Sequence, residues 1–110
     1  MKYFIHNNER HGTCYEEFSK GRWDGKTFWS DDSLFLHDDI FDDLMLYDIF
    51  KRFIPDYNRW GPNEITLDMW KRIYVYSLNV GGEVSELFKE LCPWVEENFS
   101  EHDAFMILGV

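Results

Sequence analysis

The stretch EVSELFKELCPWVEENFSEHDAFMILG, residues 83–109, predicts a long amphipathic helix followed by a short buried strand. Apolar residues recur at spacings of three and four, so that one stripe continues through Pro93. Because an interior proline removes one helical hydrogen bond, we expect a kinked or rejoined helix over 83–100. Residues 104–109, AFMILG, form an apolar run of strand length. The apolar positions of the helix are Val84, Leu87, Phe88, Leu91, Val95 and Phe99.

The same helix carries a row of glutamates well away from its apolar stripe. At about 100° per residue these side chains fall within about 60° of one another, and a tryptophan continues the row. Lys89 is the only basic residue of the helix, so stabilising pairs of opposite charge do not account for the row. Either it is a solvated face, or it binds a partner through its carboxylates and an exposed Trp94. This acidic ridge consists of Glu83, Glu86, Glu90, Trp94, Glu97 and Glu101.

A second acidic stretch, DDSLFLHDDIFDDLMLYDIF at residues 31–50, interleaves aspartates with apolar residues. It predicts a helix that begins near Asp38 and runs to Phe53, ahead of Pro55. The first two turns then hold four aspartates where the helix macrodipole favours negative charge. Their number exceeds that local need, so we expect the surplus charge to face a partner. The four are Asp38, Asp39, Asp42 and Asp43.

Thr66 predicts the start of another helix, because threonine is a good N-cap residue. This helix is expected to reach about Asn79 and to end at Gly81-Gly82, since glycine commonly terminates helices. The preceding residues 55–63, PDYNRWGPN, contain two prolines and predict a loop.

The N-terminal part of the chain predicts strands. Residues 2–6, KYFIH, have strand composition, whereas residues 14–20 fit a helical turn or a strand equally well. Asp24-Gly25 lies between aromatic runs and predicts a tight hairpin over residues 20–30. The expected fold class is α+β, in which a small sheet from the terminal strands and the hairpin is packed by about three helices.

Length and composition are those of a globular chain. The 110 residues suit a single domain, residues 1–110, and the hydrophobic content of 45% is high enough for a packed core. Aromatic residues reach 19%, which is more than a small core readily buries. Some of them are therefore expected at an interface, where tryptophan and tyrosine are enriched.

The net charge of −10 is concentrated in two segments of the chain. Residues 31–56 contain eight acidic and two basic residues, and residues 83–110 contain seven acidic and one basic residue. Such a field repels phosphate backbones and anionic lipids, which argues against direct nucleic-acid or membrane binding. It favours a basic protein partner, or simply solubility.

The cysteines and the N-terminus predict residence in the cytoplasm. Cys14 and Cys92 show no CxxC spacing and are typical of free thiols in a reducing compartment, with a single disulfide left open. The first residues, MKYFIHNN, lack the apolar core of a signal peptide, and no stretch is long enough for a membrane span.

The loop DYNRWG, residues 56–61, combines Tyr57, Arg59 and Trp60, which are the residue types enriched at binding hot spots. Trp60 either packs back into the core or contacts a partner. By contrast, no phosphate-binding loop, zinc motif or calcium loop is present in the sequence. We therefore expect a protein that is not an enzyme and has no cofactor or metal.

The C-terminal segment EITLDMWKRIYVYSLNVGGEVSELFKELCPWVEENFSEHDAFMILGV, with the acidic charge, resembles small immunity proteins of bacterial contact-dependent and polymorphic toxin systems. The likeness is one of layout and covers less than half the chain. It implies a cytoplasmic inhibitor that binds one cognate toxin domain, and a nuclease with a basic surface fits that description. An acidic inhibitor can occupy such a surface.

The predicted function is therefore protein-binding inhibition of a basic toxin domain. One alternative is a phage-type nucleic-acid mimic or anti-defence inhibitor, and another is a small enzyme with a carboxylate and histidine site. We expect reversal of Glu86, Glu90 and Glu97 to lysine to abolish binding and leave the fold intact. We also expect Trp94→Ala to weaken binding more than stability. The residues predicted to contact the partner are Asp38, Asp39, Asp42, Asp43, Tyr57, Trp60, Glu86, Glu90, Trp94, Glu97 and Glu101.

Overall fold

Five antiparallel strands and four α-helices make up the computed structural model, which describes residues 1–109. The α+β class predicted from the sequence is confirmed. A short 3₁₀ turn spans Asn7–Glu9. The elements in chain order are β1 (Phe4–Ile5), β2 (Tyr15–Lys20), β3 (Leu34–His37), α1 (Asp38–Asp43), α2 (Leu46–Phe53), β4 (Pro62–Thr66), α3 (Leu67–Val80), α4 (Gly82–Glu101) and β5 (Ala104–Gly109).

The strand order in the sheet is β1-β3-β2-β5-β4. The C-terminal strand β5 lies inside the sheet, where Ile107 is paired with Phe18 on β2 and with Asn63 on β4. The unbroken apolar sequence of β5 suits this position, because an interior strand here is covered on both faces. The two terminal strands are not neighbours, since β1 pairs only with β3 at the edge.

All four helices pack on one face of the sheet. Phe18 and Phe105 point towards them and belong to the same buried cluster as Trp70, Phe50 and Phe88. The rings interlock, with Phe18 and Phe105 stacked at 6.4 Å between centroids and Trp70 edge-on to Phe105 at 6.2 Å. Burial of these aromatic side chains is the largest visible source of stability, because each removes a large apolar area from water.

The connection between β2 and β3 covers the opposite face of the sheet. Trp29 stacks on Phe35 at 5.8 Å between ring centroids, and the Arg10 guanidinium lies 3.9 Å from the Trp29 ring. The buried Glu17 carboxylate accepts hydrogen bonds from the backbone N–H of Trp29 and Ser30, at 2.8 and 3.0 Å. Both faces of the sheet are therefore protected from solvent.

The tight hairpin predicted over residues 20–30 is wrong. β2 and β3 are antiparallel neighbours, but residues 21–33 connect them without further strand pairing. Asp24 still forms a turn, since its carboxylate accepts from the backbone N–H of Lys26 and Thr27 at 2.9 and 2.8 Å. Of the aromatic residues that suggested strands, Trp29 covers the sheet and is held there by the Glu17 carboxylate. Trp23 and Phe28 pack against each other at 5.2 Å between ring centroids.

The single helix predicted from Asp38 to Phe53 is wrong as well, because the chain breaks between α1 and α2. Met45 adopts the left-handed conformation, with φ 54° and ψ 41°. Ahead of the break Phe41 is buried, and after it Leu46 and Phe50 are buried. A straight helix could not have directed both sets into one core, since their apolar stripes diverge around the axis.

The other helices match their predictions. Thr66 caps α3 by accepting a hydrogen bond from the Met69 backbone N–H at 3.3 Å, and Gly81 ends this helix with φ 75°. α4 is continuous through Pro93. The ambiguous residues 14–20 form strand β2, and the predicted 55–63 loop ends where β4 begins at Pro62.

The 56–61 loop is held against β5 by close backbone contact. The Gly109 N–H donates to the Gly61 carbonyl at 3.3 Å, and a Cβ at position 109 would lie 1.5 Å from the Arg59 carbonyl oxygen. The Asn63 amide adds bonds to the carbonyl oxygens of Asn58 and Ile107, at 2.7 and 3.2 Å. The loop is thereby fixed rather than free in solvent.

We predict that Gly109→Ala displaces the 56–61 loop and destabilises the protein by about 1–3 kcal/mol, as overpacking against backbone usually does. Gly61→Ala is the comparison, because its Cβ would meet the Asn58 side chain at 3.1 Å, and that side chain can move. Chemical denaturation and the Trp60 indole cross-peak in NMR spectra measure both effects. Native stability with an unshifted Trp60 signal in Gly109→Ala would contradict the close approach.

Candidate functional site

Arg59, on the 56–61 loop, lies among three carboxylates from β2 and α1. Its guanidinium hydrogen-bonds Asp42 and lies 3.6 Å from Glu16 and 3.8 Å from Asp38. The Arg59 side chain is only 19% exposed, so solvent screens these interactions less than it screens surface pairs. We call these four residues the Arg59 cluster; it connects the loop to the sheet and to α1.

Aromatic rings complete the surroundings of Arg59. The guanidinium carbon is 4.7 Å from the Phe41 ring centroid and 5.3 Å from that of Trp60. These distances are within the range of cation–π attraction. Arg59 therefore contacts Trp60 at the surface as well as Phe41 in the core.

Glu16 is the second residue of β2 and is buried, with 1% of its surface exposed. Burial raises the pKa of Glu16 to about 8, and the neighbouring Asp38 charge adds to the rise, while Arg59 opposes it. No described residue hydrogen-bonds the Glu16 Oε1 atom. Burial outweighs the nearby guanidinium, which Asp42 already engages, so the Glu16 pKa lies above its usual range.

Tyr57 lies beside this group and is also buried. Its hydroxyl has no hydrogen-bond partner among the described residues. Burial, followed by the charge of Glu16, raises the Tyr57 pKa well above its usual value. The ring contacts Phe50 at 5.4 Å and Tyr47 at 5.8 Å between centroids, so Tyr57 links the loop to the core.

A cleft of about 510 Å³ opens beside the Arg59 cluster, between the α1–α2 junction and residues 57–60. Trp60 and Met45 stand at this cleft with 68% and 63% of their surfaces exposed. Asp42 and Asp48 contribute carboxylates, and Tyr57 is part of the lining. The cleft combines accessible apolar groups with negative charge, which suits a cationic or amphipathic ligand group.

The predicted contact residues fall into two separate groups. Asp38, Asp42, Tyr57 and Trp60 come together around Arg59, as just described. Asp39 and Asp43 are exposed on α1 and take no part in the cluster. The remaining candidates lie on α4; they are Glu86, Glu90, Trp94, Glu97 and Glu101.

Much of the acidic ridge is engaged within the fold. Glu90 accepts hydrogen bonds from the backbone N–H of Lys2, Tyr3 and Phe4, at 2.6, 2.9 and 2.8 Å. Glu86 accepts from the Tyr3 hydroxyl at 2.6 Å, and this bond lowers the Glu86 pKa. The carboxylates therefore tie the edge strand β1 to α4, a role that the local sequence of the helix does not reveal.

Glu97 and Glu101, which also belong to the ridge, differ in their contacts. Glu97 forms an ion pair with Lys20 on β2, whereas Glu101 is exposed and pairs with no described residue. The expectation that lysine at positions 86, 90 and 97 leaves the fold intact assumed that Glu90 has no structural role, and that assumption is wrong because Glu90 is a backbone acceptor. The basic partners that the helix lacks come from distant parts of the chain.

Trp94 does not lie exposed on the ridge. It is only 9% exposed, its ring meets Phe105 edge-on at 5.6 Å, and its indole N–H donates to the Asp32 carbonyl at 2.9 Å. The premise that Trp94 is exposed is therefore wrong, and Trp94→Ala would delete a core side chain. The buried Trp94 side chain therefore interrupts the row of exposed acidic residues on α4.

Sequence reasoning missed Glu16, Met45 and Asp48. Glu16 had a usable signal, since it is a charged residue inside the aromatic strand sequence YEEFSK. Met45 is exposed because the predicted helix breaks, and the drifting apolar stripe was the only sign of that break. Asp48 is brought to the cleft by the same break.

No protein-family model, curated protein or solved structure matches this chain. Within residues 1–109, none of the helices combines the length and apolar character needed to cross a bilayer. In the same residues, both cysteines are free thiols.

We predict that Glu90→Gln destabilises the protein by about 1–3 kcal/mol, the usual cost of losing hydrogen bonds to a charged group. The amide retains one acceptor oxygen and turns an N–H donor towards the β1 backbone. Glu101→Gln removes the same charge from the same helix without breaking a described hydrogen bond and serves as the control. Urea unfolding compares them, and equal stabilities would refute the role of Glu90 at β1.

We predict that the free energy of unfolding falls as pH rises from about 4.5 to 8, through the titration of Glu16. The folded state holds this proton more tightly than the unfolded state, so stability is fully present below the unfolded pKa. It is lost as pH passes the folded value, by an amount of the order of a few kcal/mol.

The matched variant is Glu16→Gln, which resembles the protonated carboxyl and cannot titrate. Its unfolding free energy should stay close to that of the parent at pH 5 and exceed it at pH 9. Denaturation at a series of pH values measures the difference. Parallel curves for the two proteins would show that Glu16 is ionised throughout.

Proposed function

We propose that this protein is a protein-binding inhibitor that neutralises a basic partner, in the manner of a cytoplasmic immunity protein acting on a cognate toxin domain. The observation that carries the proposal is Trp60, which is 68% exposed at an acidic cleft while Arg59 and the loop backbone hold it in place. Exposed tryptophans in ordered surroundings are the residues most enriched at binding hot spots.

The rigidity of the 56–61 loop supports this proposal. Gly109, Asn63 and Arg59 each fix the loop by backbone contact, hydrogen bonding or ion pairing. A loop ordered before binding loses little conformational entropy when a partner arrives, which improves affinity for a given contact area. Trp60 is therefore already ordered before a partner binds.

The charge distribution supports a basic partner. The chain carries a net charge of −10, and Asp39, Asp43 and Asp48 remain exposed without ion pairs to Lys or Arg in the described residues. Complementary charge accelerates encounter and disfavours wrong partners. A nuclease toxin fits this field, because its phosphate-binding surface must be basic.

Two other functions remain alternatives with distinguishable outcomes. A nucleic-acid mimic that blocks a defence protein would use the same negative field, with a different partner. A small enzyme is favoured by one observation only, namely that Glu16 and Tyr57 are buried polar groups with raised pKa values next to a cleft. Such perturbed groups cluster at functional sites, although structural ion pairs produce them as well.

We predict that the protein forms a stoichiometric complex with the C-terminal domain encoded by the neighbouring upstream gene, and that Trp60→Ala weakens it at least about 30-fold. Phe28→Ala is the control, since Phe28 is an exposed aromatic on the opposite-face connection. Calorimetry at low and high salt measures both affinities.

Each outcome separates the candidate functions. A complex that survives high salt and depends on Trp60 supports an inhibitor with a buried anchor. If high salt dissociates the complex and Trp60→Ala leaves its affinity unchanged, only long-range electrostatic attraction holds the partners together, and the proposed Trp60 contact is refuted. If neither this domain nor any basic protein from the source organism is captured, the inhibitor proposal fails and the enzyme alternative takes its place.

A further inference from the structure

The cleft beside Trp60 contains a carboxylate that the fold leaves unpaired. Arg59 engages Asp42 and approaches Asp38, so its single positive charge compensates only part of the charge of these two carboxylates. Asp48 also lines the cleft, is exposed, and forms no ion pair with any described residue. The cleft therefore presents a net negative charge to an incoming group.

The aromatic side chains around the same cleft already bind cations within the molecule. The Arg59 guanidinium lies 5.3 Å from the Trp60 ring centroid, and the Lys51 ammonium lies 5.6 Å from that of Tyr47. With 68% of its surface exposed, Trp60 retains accessible ring area after the contact with Arg59. A second cation can use that area, because cation–π attraction acts at each ring face.

A buried hydroxyl supplies independent support for a ligand. The Tyr57 ring lines the cleft, and its hydroxyl is buried with no hydrogen-bond partner among residues 1–109. An unpaired buried polar group costs stability, and such groups in native proteins call for an explanation. A polar ligand group next to Tyr57 would give this hydroxyl a hydrogen-bond partner. The charge and the aromatic rings of the cleft suit such a group as well.

We infer that the cleft receives one arginine side chain of the partner, with its guanidinium against Trp60 and hydrogen-bonded to Asp48. This inference rests on the proposed function and specifies the chemistry of its contact. Arginine fits better than lysine for two reasons. Its planar guanidinium stacks on aromatic rings, and it donates two parallel hydrogen bonds to a single carboxylate.

The test uses the isolated protein and three small probes: N-acetylarginine amide, N-acetyllysine amide and the neutral isostere N-acetylcitrulline amide. The Trp60 indole cross-peak in ¹H–¹⁵N NMR spectra reports binding. We expect saturable shifts with the arginine probe, at least about fivefold weaker binding of lysine, and no saturation with citrulline.

Two aspartates provide matched variants. Asp48→Asn removes the carboxylate proposed to bind the guanidinium and should weaken the arginine probe at least about fivefold. Asp43→Asn removes the same charge from an exposed site that does not line the cleft, and it should change binding less than about twofold. If both variants weaken binding equally, the inference is overturned, and the probe is attracted only by the overall negative charge of the protein.

Other results overturn the inference in different ways. Equal binding of the arginine and citrulline probes would mean that the cleft packs against apolar groups and selects no cation. No saturable shift with any probe would show that the cleft has no side-chain site of its own.

These results are separable from the proposed function. If the arginine probe binds but no protein partner is found, the cation site stands and the inhibitor proposal fails. If the partner complex depends on Trp60 while Asp48→Asn and Asp43→Asn weaken it equally, the inhibitor proposal stands and the arginine site fails.

Discussion

The interaction on which the candidate site depends is the placement of one guanidinium, Arg59, among carboxylates from β2 and α1. Taking a charge out of water is costly unless partners compensate it, and here Asp42 and Asp38 compensate the charge of Arg59. The same burial raises the pKa of Glu16 and so favours its neutral form. The consequence is geometric. A loop that would otherwise be a mobile connection is joined to the sheet and to α1, and Trp60 is held at the surface.

The acidic excess of the chain serves two purposes. Several carboxylates act inside the fold: Glu90 and Glu17 accept backbone hydrogen bonds, and Glu86 and Glu97 pair with groups far away in sequence. Glu90 and Glu17 satisfy part-buried backbone donors that would otherwise lack a partner, which is why their removal costs stability. The lysine pairs of Glu86 and Glu97 are more exposed and contribute less. Those without such partners, among them Asp48, are the charges available to a partner protein. The number of acidic residues in the sequence is therefore larger than the number of carboxylates left free to bind another molecule.

Local sequence signals predicted the elements whose determinants lie within a few residues. The Thr66 cap, the Gly81 stop and the apolar stripe of α4 act over one or two helical turns, so their outcome is visible in the sequence. The break at Met45 and the course of residues 21–33 depend on what packs against them. In both cases tertiary contacts overrode a locally favourable pattern, as they commonly do for short elements.

The sequence by itself determined the α+β class, the ends of α3 and α4, the negative field and the hot-spot composition of residues 56–61. The tertiary structure alone decided which acidic residues form hydrogen bonds and ion pairs within the fold. It also decided that Trp94 is buried while Trp60 is exposed, and that Glu16 and Asp48 lie near one cleft. The physical reason is that propensity and periodicity act between near neighbours in the chain. Burial and charge pairing act between residues such as Lys2 and Glu86, or Glu16 and Arg59, which only the folded chain brings together.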